Sequence, residues 1–268
     1  MTASAPVDPL RHPLVVTMNH PRHQYLLSRL AERCDSVTVL QEVTTLFPGA
    51  QRGFIRKSDV MKTYFARVRA AEREVFGQPG LQSSGLRTLP MAFGDMNHLN
   101  ASLADDLAHC DCAVVFGGGF IKGWLAEHLI GLNAVNIHMG VSPYYRGSSC
   151  NFWAAYDGRF DMIGATLHRL SDKLDGGEIL RIVRPDFQSG DYFTVGMEAA
   201  RAAVDGVVDL IETGDILNKS GKPQDASLEL RYSLNKEFTD EIATAFLDNV
   251  PTAEAMRASM DSAAGAVP

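Results

Sequence analysis

Asn136, His138 and Asp175 are the residues of this chain best suited to do chemistry together. The apolar run Ala134–Ile137 reads as a strand that delivers Asn136 and His138, and their spacing of two points both side chains to one face. Asp175 lies in Asp172–Gly177 (DKLDGG), where the glycines let the backbone turn tightly and approach a ligand closely. An amine attacking a carbonyl carbon generates a tetrahedral oxyanion, which requires donors placed for that charge. The Asn136 amide and a protonated His138 can supply them. The Asp175 carboxylate can favour the charged imidazole and help move the amine proton, directly or through water. Each residue alone has an ordinary explanation, since histidines after strands are often structural and Gly-Gly is a common turn.

The elements that must position these groups follow from the pattern of apolar residues. Leu14–Met18 reads as a first strand, Tyr25–Ala31 as a helix and Ser36–Val43 as a second strand, the opening of a parallel sheet. Ser58 caps a predicted helix to Phe76, with Val60, Met61, Tyr64, Phe65 and Val68 on one side. Residues 77–90 are turn-rich and precede a short strand near Met91–Phe93 and a helix near Ala101–Leu107. Cys112–Phe116 is a buried strand running into Gly117–Gly119, and Ile121–Leu129 is helical. Ser148 or Ser149 caps a helix to Tyr156, and strands at Ile163–Leu170 and Glu178–Val183 flank the Asp175 turn. Asp191 caps a long helix to Glu212, and Leu228–Leu234 is extended. The expected fold is α/β, a Rossmann-like, mostly parallel twisted sheet with helices on both faces. Residues 1–212 form the catalytic domain, and 213–268 a short C-terminal extension with an extended segment and small helices. In such sheets ligands collect at the carboxyl ends of strands, where Asn136 and His138 stand.

The 268 residues are 46% apolar and 21% charged, enough for a sizeable core. A net charge of -7 disfavours nucleic acid as a partner. Seven basic residues between Arg52 and Arg73 (Arg52, Arg56, Lys57, Lys62, Arg67, Arg69, Arg73) read as a solvated helix face or as a flank for an anionic substrate. The four cysteines lack metal-ligand spacing and read as buried thiols, with no metal expected. No apolar window is long enough for a membrane span or signal segment, so a cytoplasmic protein is expected, with no membrane partner.

Taken together, Asn136-x-His138, the loop with Pro143 and Arg146-Gly147, and Asp175-Gly176-Gly177 resemble the folate-dependent formyltransferase superfamily, which includes glycinamide ribonucleotide transformylase and methionyl-tRNA formyltransferase. His168 also matches a recurrent position on the strand before the Asp loop. The resemblance covers roughly residues 100–190. It implies 10-formyltetrahydrofolate as co-substrate and a primary amine as acceptor, with Asn136, His138 and Asp175 catalytic. It places the folate against Phe116, Gly118, Gly119, Phe120, Ile121, Leu170, Asp172 and Leu174. The acceptor is expected at Asn19, His20, Arg22, His23, Tyr144, Tyr145 and Arg146. The segment Asn19–His23 departs from the Gly-Ser-Asn loop of the glycinamide ribonucleotide enzymes, and little chain remains for a tRNA-binding domain. These departures point to a small-molecule acceptor, first among them a nucleotide-linked amino sugar. An amino-acid-derived amine such as hydroxyornithine, hydrolysis of the donor, and a catalytically silent folate-binding protein are the alternatives. A homodimer is compatible with the reading.

Overall fold

The computed structural model describes residues 12–44, 58–78, 80–81, 84–172 and 175–264. Its elements in chain order are β1 (Pro13–Thr17), α1 (Pro21–Ala31), β2 (Val37–Val43), α2 (Asp59–Phe76), β3 (Leu86–Ala92), α3 (Leu103–Leu107), β4 (Cys112–Phe116), α4 (Gly123–Gly131), β5 (Val135–His138), β6 (Tyr145–Gly147), α5 (Cys150–Tyr156), β7 (Ala165–Arg169), β8 (Ile179–Val183), α6 (Tyr192–Glu212), α7 (Asp215–Asn218), β9 (Arg231–Ser233), α8 (Asp240–Asp248) and α9 (Ala253–Ala264).

Seven strands form one sheet in the order β3-β2-β1-β4-β5-β7-β8. The first five in that order pair in parallel, whereas β7 runs antiparallel to both β5 and β8. The fold is therefore the expected α/β, mostly parallel sheet. Its central strands β1 and β4 are buried along their whole length, as continuous apolar runs covered on both faces must be. Leu26, Leu27, Leu30, Val204 and Val207 of α1 and α6 cover one face, and Leu107, Leu125 and Leu129 of α3 and α4 cover the other. A third apolar cluster joins α2 and α5 to the C-terminal helices. There Phe152 meets Tyr64, Phe238 and Phe246 edge-on, with ring centroids 4.6–5.8 Å apart. Residues beyond 212 thus contribute core, not only surface.

The caps read from sequence are present at two helices: Ser58 accepts from the Met61 amide and Asp191 from the Phe193 amide. Ser149 instead adopts φ 56° and makes no side-chain cap bond, so α5 starts without the expected hydroxyl cap. β3 is longer than predicted, taking in Leu86–Pro90 of the turn-rich stretch. Pro90 is tolerated there because β3 is an edge strand with a row of amides outside the ladder. The extended piece 228–234 contains β9, which leaves the main sheet and pairs in parallel with β6.

Candidate active site

The sheet brings the predicted catalytic residues together at its carboxyl edge. Asn136 and His138 lie on β5 opposite His168 and Thr166 of β7. His138 Nδ1 stands 3.6 Å from Asp175 Oδ1, and His168 Nε2 stands 3.8 Å from the same oxygen. The Asn136 amide nitrogen is 3.1 Å from His168 Nε2. His168 Nδ1 lies 2.8 Å from the Arg169 carbonyl. A carbonyl can only accept, so Nδ1 carries the hydrogen and Nε2 accepts from Asn136. This fixes the Asn136 amide with its nitrogen toward His168. By the same argument His138 Nε2, 3.2 Å from the Tyr145 carbonyl, carries its hydrogen and Nδ1 faces Asp175.

Protonation differs from the sequence-based expectation. Burial pushes His138 below the ordinary imidazole range, and the opposing attraction of Asp175 does not restore it. The resting imidazole is therefore neutral at pH 7, not protonated. Burial alone would raise Asp175, but its surroundings, His168, His138 and Arg146, hold its carboxyl below the usual range. A neutral base thus faces an ionised carboxylate.

A Cβ on Gly177 would sit 1.8 Å from the Arg169 carbonyl oxygen, so this glycine permits a close approach of the Asp175 turn to β7. It holds the turn bearing Asp175, itself at φ 48°, against the strand bearing His168. After β5, Thr166 pins the loop: its hydroxyl donates to the Gly140 carbonyl and accepts from the Ser142 amide, next to a cis Ser142–Pro143 bond.

The residues expected to hold folate occupy the neighbouring end of β4. Phe116 is buried against His23, Gly118 and Gly119 are half-buried, and Phe120 is 58% exposed. Ile121 and Leu170 pack partly into the α3–α4 core, Asp172 is exposed, and Leu174 lies outside the described residues. Sequence reasoning missed what braces this loop. The carboxylate of Glu42, fully buried at the end of β2, accepts from the Gly119 amide at 2.6 Å and the Gly94 amide at 2.7 Å. A Cβ at Gly118 or Gly119 would come within 3.3 Å of Glu42. Asn97 donates to the Phe120 carbonyl and accepts from the Lys122 amide. The available signal was Gln41-Glu42 inside an otherwise apolar strand, since a buried carboxylate requires partners.

The expected acceptor residues divide. Arg22 lines a cavity of about 320 Å³ that reaches His138. Tyr64, Phe65, Phe152, Phe193 and Phe238 supply most of its aromatic wall. Asn19 is exposed, and His20 and Tyr144 are half-buried. Tyr145 turns its ring into the core and its hydroxyl to Asp157, offering the site a carbonyl instead of a side chain. Arg146 bonds Glu229. The basic flank is partly neutralised: Arg22 pairs with buried Glu72 at 2.6 Å, Lys62 with Asp59, and Arg67 with Asp191. Arg52, Arg56 and Lys57 lie outside the described residues.

His23 is buried, and burial holds it well below the ordinary imidazole range. Because His23 and His138 stay neutral in the fold but take protons once unfolded, stability falls as pH drops below their ordinary value of 6.5. We expect the denaturation midpoint to decrease from about pH 7.5 to about pH 5.5, and to decrease less in His23→Phe. A midpoint independent of pH over that interval would contradict the assignment.

No family model matches the chain. Methionyl-tRNA formyltransferase of Natranaerobius thermophilus is 34% identical over 89 residues, 33% of this chain and 28% of that protein. That of Desulforamulus reducens is 31% identical over 114 residues, 42% of this chain and 35% of that protein. The chain thus spans about a third of the length of these curated relatives. Among solved structures, a sugar N-formyltransferase from a Shewanella species superposes with a TM-score of 0.50 at 18% identity, covering 85% of this chain and 78% of that one. No helix among the described residues is long and apolar enough to cross a membrane. The chain has the formyltransferase fold, and in sequence it resembles the folate-dependent formyltransferase superfamily.

Proposed function

We propose that this protein is an N-formyltransferase that moves a formyl group from 10-formyltetrahydrofolate to the primary amine of a small molecule. The observation that carries the reading is the convergence of Asn136, neutral His138 and ionised Asp175 at one edge of the sheet. The donor would rest against the Gly118–Phe120 loop and supply an electrophilic formyl carbon. Asn136, oriented by His168, offers an amide hydrogen to the oxygen of that group as negative charge develops. Asp175 draws the proton from the attacking amine, directly or through water. His138 Nδ1 can accept it and become an imidazolium beside the carboxylate. Passing that proton to the departing nitrogen of the donor returns the imidazole to its neutral form.

For the acceptor we propose an amino sugar, nucleotide-linked, with the amine-bearing ring in the cavity beside His138. The aromatic wall supports this, because ring faces pack well on the C–H faces of a sugar or on a base. Folate release should be measured with nucleotide-linked amino sugars, hydroxyornithine and no amine. Turnover only with the sugars is the expected result. Equal turnover without any amine would replace transfer by hydrolysis, and donor binding without turnover would make the protein a folate-binding protein.

A further inference from the structure

We infer that strand β9 of the C-terminal segment positions His138, with Ser233 and Arg231 as the positioning residues; the inference rests on the formyl-transfer reading of that histidine. β6 has three residues and, among the described residues, one strand partner, too little to hold its own geometry. Its register is set across 86 residues of chain, by Tyr145 opposite Arg231, Arg146 opposite Tyr232 and Gly147 opposite Ser233. The Leu230 and Arg231 amides both donate to the Tyr144 carbonyl, at 2.9 and 3.0 Å. The Ser148 amide donates to the Ser233 carbonyl at 2.9 Å, and the Ser233 hydroxyl donates to the Ser148 carbonyl at 2.6 Å. Contact is so close that a Cβ on Gly147 would lie 2.2 Å from the Ser233 oxygen.

Side chains tie the same two strands to α5. Arg231 bonds Asp157 at 3.0 Å, and its guanidinium lies 3.7 Å from the centre of the Trp153 ring. The Tyr145 hydroxyl donates to Asp157 as well, at 3.1 Å. These contacts bracket the Tyr145–Arg146 peptide on both sides, and its carbonyl receives the Nε2 hydrogen of His138. That acceptor decides the tautomer. With it in place, Nε2 is protonated and the bare Nδ1 faces Asp175. Without it, Asp175 would draw the single hydrogen to Nδ1, and the proton-accepting lone pair would point away from the reaction space.

The test uses the full chain carrying Arg231→Ala and Ser233→Ala together. Ring-nitrogen NMR of His138 and the kinetics of formyl transfer are the readouts. The His138 Nε2 signal should move from the protonated toward the bare position, and kcat should fall by roughly 10- to 100-fold. KM for the folate donor should stay within about 2-fold, since the Gly118–Phe120 loop is untouched. If the double variant does not fold, Ser233→Ala alone removes one hydroxyl, leaves the backbone ladder, and should shift the same signal by less. An unchanged nitrogen signal with full kcat in a folded variant overturns the inference and leaves the formyl-transfer reading standing. A shifted signal in a protein whose parent transfers no formyl group upholds the positioning and removes that reading.

Discussion

Replacing Asp175 with asparagine is expected to lower formyl transfer by about 100- to 10,000-fold while the protein folds normally. The amide keeps the size of the side chain but cannot take a proton or remain charged beside His138 Nδ1. His138→Ala should cost a similar factor, because it removes the group that holds the proton between amine and leaving nitrogen. The double variant should be little worse than either single one, as expected of residues acting as one unit. Donor affinity should change far less than kcat in all three. Steady-state kinetics with the preferred amine would check this, and turnover of His138→Ala and Asp175→Asn at the parent's rate would refute the assignment.

Gly177→Ala should be nearly as damaging, through geometry instead of chemistry. The added Cβ would meet the Arg169 carbonyl oxygen at 1.8 Å, and neither backbone can yield cheaply. The turn carrying Asp175 must then move off β7, separating the carboxylate from both histidines. We expect a loss of about 3 kcal/mol in stability and roughly 100-fold in kcat. Gly131→Ala, in α4 where a Cβ meets nothing within 4 Å, serves as the control and should leave both quantities near parent values. Equal stability and rate for the two variants would show that the packing of Gly177 on β7 does not hold the site together.

The parts of this architecture legible in the sequence are those written locally. Apolar runs marked β1, β4 and β5, and Ser58 and Asp191 announced two helix starts, because periodicity and capping act within a few residues. Asn136 and His138 were readable for the same reason, as neighbours two apart on one strand. What stayed hidden depends on contacts distant in the chain. Glu42 reaches Gly119 over 77 positions, and the pairing that fixes Tyr145 over His138 comes from Arg231 and Ser233. No local pattern encodes either. The resting charge of His138 is set by burial, which only the packed sheet creates and which outweighs the carboxylate beside it. Tyr145 was expected to contact the acceptor by its side chain, yet the ring fills core space and the peptide does the work at the site.

In the proposed reaction the group around Asn136, His138 and Asp175 moves a formyl carbon onto an amine. Its most direct test is to supply 10-formyltetrahydrofolate with an isotopically labelled formyl carbon, together with a nucleotide-linked amino sugar, and to follow the label by NMR. A new formamide signal on the sugar should grow with folate release and be lost in Asp175→Asn. Label appearing only as free formate, at the same rate with or without the sugar, would contradict it.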